Sequence, residues 1–317
     1  MSLGVQNNIG FGTVLDVRYV GTLVRNLTVQ RNINLLPFGT RFLPSSIDPT
    51  TNRPLPDNFL RPYPGFGNIE YREGAGSSNY HALQAKVDRR LNNGLQFGLA
   101  YTFSKTMDYA NFRELLPTYM DHSRNYGKST FDQTHVAVIN YSYDVPSVSQ
   151  NAVANAILGD WQVSGITSFA SGVPRDISFT TTNGVDLTGG GDPQRVNITG
   201  DPRIAHGDRG INGMFDTSVF AMPGVGDPGN ASKDVFRGPG VINHDLTVFK
   251  NIPLASEQRT LQLRWEVYNL LNHTNFQNVD NTVRFNPATG EQTNSRFGQP
   301  TTARDARVMQ VSLRFLF

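Results

Sequence analysis

Residues 95–105, LQFGLAYTFSK, and residues 309–317, MQVSLRFLF, decide the fold class. In the first, Leu95, Phe97, Leu99, Tyr101 and Phe103 hold the odd positions, and Gln96, Gly98, Ala100 and Thr102 the even ones. In the second, Met309, Val311, Leu313, Phe315 and Phe317 alternate with Gln310, Ser312 and Arg314, and Leu316 is the one exception. Strict period-two alternation is the signature of a strand, because successive side chains point to opposite faces. The same pattern runs through 13–21 (Leu15, Val17, Tyr19 against Asp16, Arg18) and 81–91 (Leu83, Ala85, Val87 against Gln84, Lys86, Asp88, Arg90). It returns at 261–268, where Leu261, Leu263, Trp265 and Val267 face away from Gln262, Arg264, Glu266 and Tyr268. Two noisier segments, 135–145 and 161–169, complete the middle, and helical stripes are nearly absent.

Alternation does not say which face is inside, since a soluble sandwich and a membrane barrel share the period with opposite sign. Length and connectivity decide. Soluble strands usually run about 5–6 residues, whereas a tilted strand crossing a bilayer needs about 9–11. These segments reach the longer value. Short connections (7–12, 92–94, 253–257) and the modest 146–156 alternate with long ones (24–78, 107–133, 172–240, 272–304), so the short ends lie on one side and the long ends on the other. A sandwich gives no reason for that asymmetry, while outer-membrane barrels have tight periplasmic turns and long extracellular loops. The prediction is therefore an all-β, antiparallel transmembrane β-barrel segment of about nine long membrane-crossing strands: 2–6, 13–21, 81–91, 95–105, 135–145, 161–169, 241–252, 261–269 and 309–317. Aromatic residues should collect at the two water–lipid boundaries. Tyr19, Tyr101, Phe103 and Phe169 are expected outward at the loop end, and Tyr141, Tyr143, Trp161, Phe315 and Phe317 outward at the turn end. Val17, Leu99, Val163 and Leu313 would fill the belt between them. The opposite face is polar, carrying Lys86, Asp88, Arg90, Arg264, Glu266 and Arg314; solvent would explain those charges as well as a site would.

Composition narrows the function classes. The chain has 317 residues, room for two domains or one large single-sheet unit, and only 17% of them are charged, against about 25% in ordinary soluble proteins. Lys plus Arg (28) nearly balance Asp plus Glu (26), so no net field draws in nucleic acid. With no cysteine, disulfide frameworks, thiolate metal sites and Cys nucleophiles are excluded. No stretch approaches 18 consecutive apolar residues, and the N-terminus lacks the basic and apolar regions of a signal peptide. Six dispersed histidines (His81, His122, His135, His206, His244, His273) show no helical zinc spacing. Gly189, Gly190, Gly191 and Asp192 lack the residues of a phosphate or calcium loop and read as a flexible extracellular loop. The sequon at Asn197 is discounted, and Ser104 or Ser168 with His135 is the only conceivable Ser–His pair. The chain is therefore expected to be no enzyme, with no catalytic residue, cofactor or metal.

Four stretches carry a family likeness: SLGVQNNIGFGTVLDVRYVGT at 2–22, NYHALQAKVDRRLNNGLQFGLAYTFSKTMD at 79–108, FRGPGVINHDLTVFKNIPL at 236–254 and LRWEVYNLLNHTNFQNV at 263–279. Together with the terminal VMQVSLRFLF they resemble the C-terminal part of the barrel of a TonB-dependent outer-membrane receptor. The resemblance is to the Oar-like group, which often carries a carboxypeptidase-regulatory-like domain. It implies a 22-stranded barrel holding a plug, of which residues 1–317 would be a single partial barrel, with plug domain and signal peptide absent. It also implies a bacterial outer-membrane location, contact with lipid, and energy from the TonB system through the missing N-terminal part. The expected activity is uptake of an unidentified extracellular ligand, whether peptide, glycan or chelate, recognised by the long loops. Val311, Leu313, Phe315 and Phe317 look like the C-terminal signal read by barrel-assembly machinery, although lipid contact alone would also require apolar residues there. Nine strands of such a wall would leave an open sheet with two unpaired edges, or a smaller closure. The alternatives are an unplugged porin, a soluble secreted β-sandwich or adhesin, and an outer-membrane hydrolase.

Overall fold

The computed structural model describes residues 1–110, 116–119, 122–146, 151–254 and 256–317. Parts of three expected connections, at 111–115, 120–121, 147–150 and 255, lie outside the described residues. Among the described residues nine long strands run in order: β1 (Ser2–Gly10), β2 (Thr13–Asn32), β3 (Glu70–Asn92), β4 (Leu95–Asp108), β5 (His135–Asp144), β6 (Trp161–Ala170), β7 (Val241–Leu254), β8 (Ser256–Tyr268) and β9 (Val308–Leu316). They form one sheet in chain order, each antiparallel to its neighbour, with the two-residue strand Gly127–Lys128 added beside β4. Among the described residues β1 pairs only with β2, and β9 only with β8, so the sheet has two open edges.

Turn chemistry fixes the short end. Phe11 (φ 52°) and Gly12 (φ 69°) join β1 to β2, and Asn93 (φ 51°) and Gly94 (φ 76°) join β3 to β4. Positive φ at both central residues is the type I′ pattern, whose twist matches that of the flanking strands and for which Asn-Gly is a preferred pair. Gly94 has a second constraint: a Cβ there would lie 2.7 Å from the Asp144 carbonyl oxygen on β5.

Register assigns the two faces. Leu15, Val87, Leu99, Ile139, Thr167 and His244 are successive cross-strand partners from β2 to β7. Trp265 on β8 pairs with Val248 on one side and Val311 on the other. All these residues share one face, which also carries Tyr19, Phe97 and Leu313. Lys86, Asp88, Asn140, Arg264 and Glu266 share the other. The row through Leu99 begins near the turn end of β2 and finishes near the loop end of β7. Such stagger means that the strands tilt, as closure into a barrel requires.

No second sheet covers the apolar face among the described residues. Trp265 is 41% exposed and Val311 71%, and Phe97 is half-buried, so these side chains are not enclosed between two layers. The soluble-sandwich alternative is corrected here, because a sandwich would bury one whole face of each sheet.

Some boundaries differ from the sequence expectation; β1 runs on to Gly10 instead of ending at Gln6. The β2–β3 hairpin does not stop at Gly21 and His81; pairing continues to Asn32 and Glu70 through irregularities at Val24–Val29, where Asn26 takes φ 57°. These shifts change the phase of the alternation, which hid the extension and cut the loop from 24–78 to 33–69. At the other end, β7 reaches Leu254 and β8 starts at Ser256, a tighter turn than 253–257. The loops themselves hold the main apolar core: Ile177, Val196, Met214, Phe215, Phe220, Phe236, Val283, Phe285 and Phe297 form one buried cluster.

Candidate functional site

Two long loops become one body at the loop end of the sheet. The short strand Ser178–Thr181, from the 172–240 loop, pairs in parallel with Thr282–Phe285 from the 272–304 loop. Phe215 stands at the centre of the shared core, with ring centroids 4.4 Å from Phe236, 5.2 Å from Phe297 and 5.6 Å from Phe220. These aromatic residues come from separated, Gly- and Pro-rich stretches without periodicity, and so carry no sequence pattern.

A seam of ion pairs ties this cap to the polar side of the sheet. Lys233 bonds Asp108 at the loop end of β4, Arg237 bonds Asp132, and Lys128 lies 3.3 Å from Asp234. The Asp108 and Asp132 side chains are 5% and 0% exposed. The second pair has further partners: Asp132 accepts from the Thr106 backbone N–H, and Arg237 donates to the Asp132 and Gly172 carbonyl oxygens at 3.2 and 2.9 Å. Breaking one partner of such a buried pair costs more than the pair contributes over an apolar replacement, because a charge is left without compensation. The seam therefore fixes where the cap sits.

Beside the seam lies a cleft of about 580 Å³, lined by Asn125, Asp176, Thr181, Asp186, Arg195 and Lys233 among others. That is within the usual ~300–1,000 Å³ of small-molecule sites. Its two strong cations are engaged by the protein: Lys233 by Asp108, and Arg195 by Asn125 and the carbonyl oxygens of Arg124 (2.9 Å) and Ala231 (3.1 Å). Asp186 lies 2.7 Å from Arg41, whose fork also grips Asp57 at 2.9 Å. Burial pushes the Asp186 carboxyl up, yet hydrogen bonds from Thr188 and Arg41 outweigh it and leave the group below the ordinary carboxylate range. The Arg41 hydrogen bond likewise holds Asp57 down. The remaining lining mixes hydroxyls and amides with the apolar Ile177, Phe179, Val185 and Leu187, and the exposed Asp176 adds an acidic group.

Asparagines fasten the loops to the strand ends. Asn34, fully buried, donates to the carbonyl oxygens of Tyr63, Phe66 and Gly67 at 3.1, 3.1 and 2.8 Å and accepts from the Tyr63 N–H at 2.8 Å. Asn275 bonds both backbone groups of Ile242 at 2.8 Å, and Asn269 closes the end of β8 onto His273. None of these was a sequence candidate; their only signal is Asn density just past an alternating segment, as in YNLLNHTNFQN.

The expected aromatic residues all lie on the apolar face. Tyr19, Leu83, Phe103 and His135 form one cross-strand row, and Tyr101, Ala137, Phe169 and Ile242 the next. Tyr141, Tyr143 and Trp161 lie toward the turn end, with Tyr143 opposite Leu95 and Val163. Phe315 and Phe317 stack at 5.8 Å on edge strand β9, in line with Val311 and Leu313. Sequence reading missed their companions. The Tyr19 hydroxyl is 2.5 Å from His81 Nδ1, Tyr101 is 2.8 Å from His135 and Thr167 is 3.0 Å from His244. Each pair joins an ascending strand to the descending strand that follows it.

Other sequence candidates come apart. Ser104 and Ser168 share the polar face, whereas His135 stands on the apolar one, so neither Ser–His pair assembles. The Gly189–Gly191 run is packed rather than flexible. A Cβ on Gly190 would lie 3.0 Å from the Phe38 Cα and one on Gly191 2.9 Å from the Leu35 Cβ, so glycine lets the two loops close. Asp192 next to it accepts the N–H groups of Thr118 and Tyr119 at 3.0 and 2.6 Å.

The family described as outer membrane beta barrel domain matches residues 1–310. No curated protein matches the chain by sequence. Among solved structures, the chain is similar to the outer membrane transporter YddB from Escherichia coli, at 8% identity and a TM-score of 0.48, covering 99% of this chain and 32% of that one. It thus spans about a third of that transporter's length.

Proposed function

Because this chain belongs to the outer membrane beta barrel domain family, we propose that it supplies part of the wall and the extracellular mouth of a ligand-specific uptake receptor. The apolar face meets lipid, the polar face lines the interior, and the long loops stand outside the cell. The observation that carries the reading is the cap, a folded body with its own aromatic core, joined by ion pairs to the interior-facing side. Passive pores also carry long extracellular loops, but loops packed into one fixed arrangement suit recognition. The cleft beside the seam is the ligand site. With Arg195 and Lys233 already engaged, it suits a neutral ligand rich in hydroxyl or amide groups, such as a glycan or peptide, better than an anionic chelate.

The finer assignment is an Oar-like, TonB-dependent receptor, resting on the four stretches at 2–22, 79–108, 236–254 and 263–279. Val311, Leu313, Phe315 and Phe317 serve barrel assembly, the aromatic rows mark the two lipid boundaries, and the chain carries out no catalysis. The test is uptake in cells producing the receptor, with and without a working TonB system. Accumulation lost without TonB while surface binding persists is the expected result. Uptake that ignores TonB, together with steady conductance in planar bilayers, would replace this reading with that of a porin.

A further inference from the structure

One cation lies on the lipid side of the wall and is nonetheless buried. Lys250 on β7 pairs in register with Trp161 on β6 and Leu263 on β8, which places it on the apolar face near the periplasmic end. It is 6% exposed. What covers it is the helix Ala152–Leu158 in the β5–β6 connection. The Lys250 ammonium donates to the Gly159 carbonyl oxygen at 2.5 Å and reaches the Asn155 carbonyl oxygen at 3.5 Å, while lying 5.6 Å above the Trp161 ring. Trp161 Nε1 donates to the Ile157 carbonyl oxygen at 2.8 Å. Two side chains of the lipid-facing surface thus hold the C-terminal end of this helix, so the helix is seated outside the wall.

A short helix at that place faces a physical problem. Its last carbonyls have no partners within the helix, and an unpartnered carbonyl is costly where water is scarce. Lys250 and Trp161 answer that need, and a cation is the favourable charge at a helix C-terminus. The helix closes tightly on Gly159, where a Cβ would lie 3.1 Å from the Asn155 carbonyl oxygen. Beyond the cap, Ile157 and Leu158 are 63% and 61% exposed. They adjoin the apolar face of β6 and β7, and so continue the surface that meets lipid.

We infer that the helix Ala152–Leu158 lies in the periplasmic leaflet of the outer membrane, with Ile157 and Leu158 in lipid, and that Lys250 is the positioning residue that fastens it to the wall. The helix acts as an in-plane foot that fixes the depth of the sheet, in the way amphipathic segments bind an interface. This inference rests on the reading that the apolar face meets lipid.

The chain contains no cysteine, so single cysteines label uniquely. A bimane label is placed by Leu158→Cys, by Val311→Cys on the wall and by Ile211→Cys in the cap, each in the full chain reconstituted in phosphatidylethanolamine–phosphatidylglycerol vesicles. The expected result is quenching by brominated lipid at Leu158→Cys and Val311→Cys, and by iodide alone at Ile211→Cys. Adding Lys250→Met to Leu158→Cys should lose most of the lipid-phase quenching, while Lys250→Arg should keep it. Iodide quenching alone at Leu158→Cys, with Val311→Cys still lipid-quenched, overturns the inference and leaves the wall as read. Loss of lipid quenching at Val311→Cys overturns the reading of the wall itself. Should Lys250→Met not assemble, Lys250→Gln replaces it, and unchanged lipid quenching in either variant overturns the role of the lysine.

Discussion

In the wall, Leu99, Trp265 and Leu313 stand on a face with no second layer above it among the described residues, whereas in the cap Phe215 closes to 4.4 Å from Phe236 and 5.2 Å from Phe297. Both regions are apolar, yet they satisfy the same chemistry in different solvents. The cap buries its aromatic residues as a water-soluble protein does, by packing them on one another. The wall turns its apolar side chains outward, and their burial depends on lipid. Apart from its two edge strands, its backbone groups are satisfied from strand to strand, as crossing a bilayer requires. The wall should therefore tolerate any apolar residue and reject charge, and the cap should be sensitive to volume.

The largest effect is expected in the cap. Phe215→Ala should cost about 3–5 kcal/mol of local stability through lost burial and a cavity, read as faster hydrogen exchange across 172–240 with β2–β6 unchanged. If exchange rises equally in the wall, the two regions are one cooperative unit and the comparison fails. Next is Leu99→Arg, which places a charge on the lipid face; near the bilayer midplane this costs about 2–4 kcal/mol, measured by urea unfolding in vesicles. Arg in place of Ala100, one residue along, faces the interior and should cost far less. A somewhat smaller loss is expected for Asp132→Asn. It leaves Arg237 unpaired, but that side chain is 25% exposed, so about 2 kcal/mol is expected instead of the ~3–5 of a fully buried pair. Protease accessibility of 172–240 should rise.

The smallest effect is on pH. Asp57 is held below the ordinary carboxylate range by Arg41, Asp186 by hydrogen bonds from Thr188 and then Arg41, and Asp201 is lowered to about 2 by Arg203. A depressed folded pKa contributes stability that is fully present above the unfolded value near 3.8 and is lost as pH falls through the folded value. Cap protection should hold from neutrality down to about pH 4 and decline below it; Asp57→Asn should flatten part of that decline. A fall beginning well above pH 4 would contradict the assignment to these carboxyls.

The same division explains what could be read from sequence. A membrane strand must keep one face apolar for its whole length, so Leu95 to Phe103 and Met309 to Phe317 announce themselves, and the order of nine strands follows from loop lengths. The signal failed where the phase slipped, at Val24–Val29, because a bulge moves later residues to the other face. It failed more fully in the cap, where Phe215, Phe285 and Phe297 meet across long separations and no local period connects them. Asp108 and Lys233 are 125 positions apart and neither is unusual alone. His81, His135 and His244 each read as isolated in the sequence, since only the register shows that each stands beside a hydroxyl on the preceding strand.

The most direct test of the central claim is a nitroxide scan by cysteine substitution along residues 95–105 of the chain in lipid vesicles. Labels at Leu95, Phe97, Leu99, Tyr101 and Phe103 should be relaxed by oxygen dissolved in the bilayer, and those at Gln96, Gly98, Ala100 and Thr102 by a water-soluble nickel chelate. Alternation in the opposite phase, or odd positions closed to both reagents, would mean that this face packs against protein and not lipid.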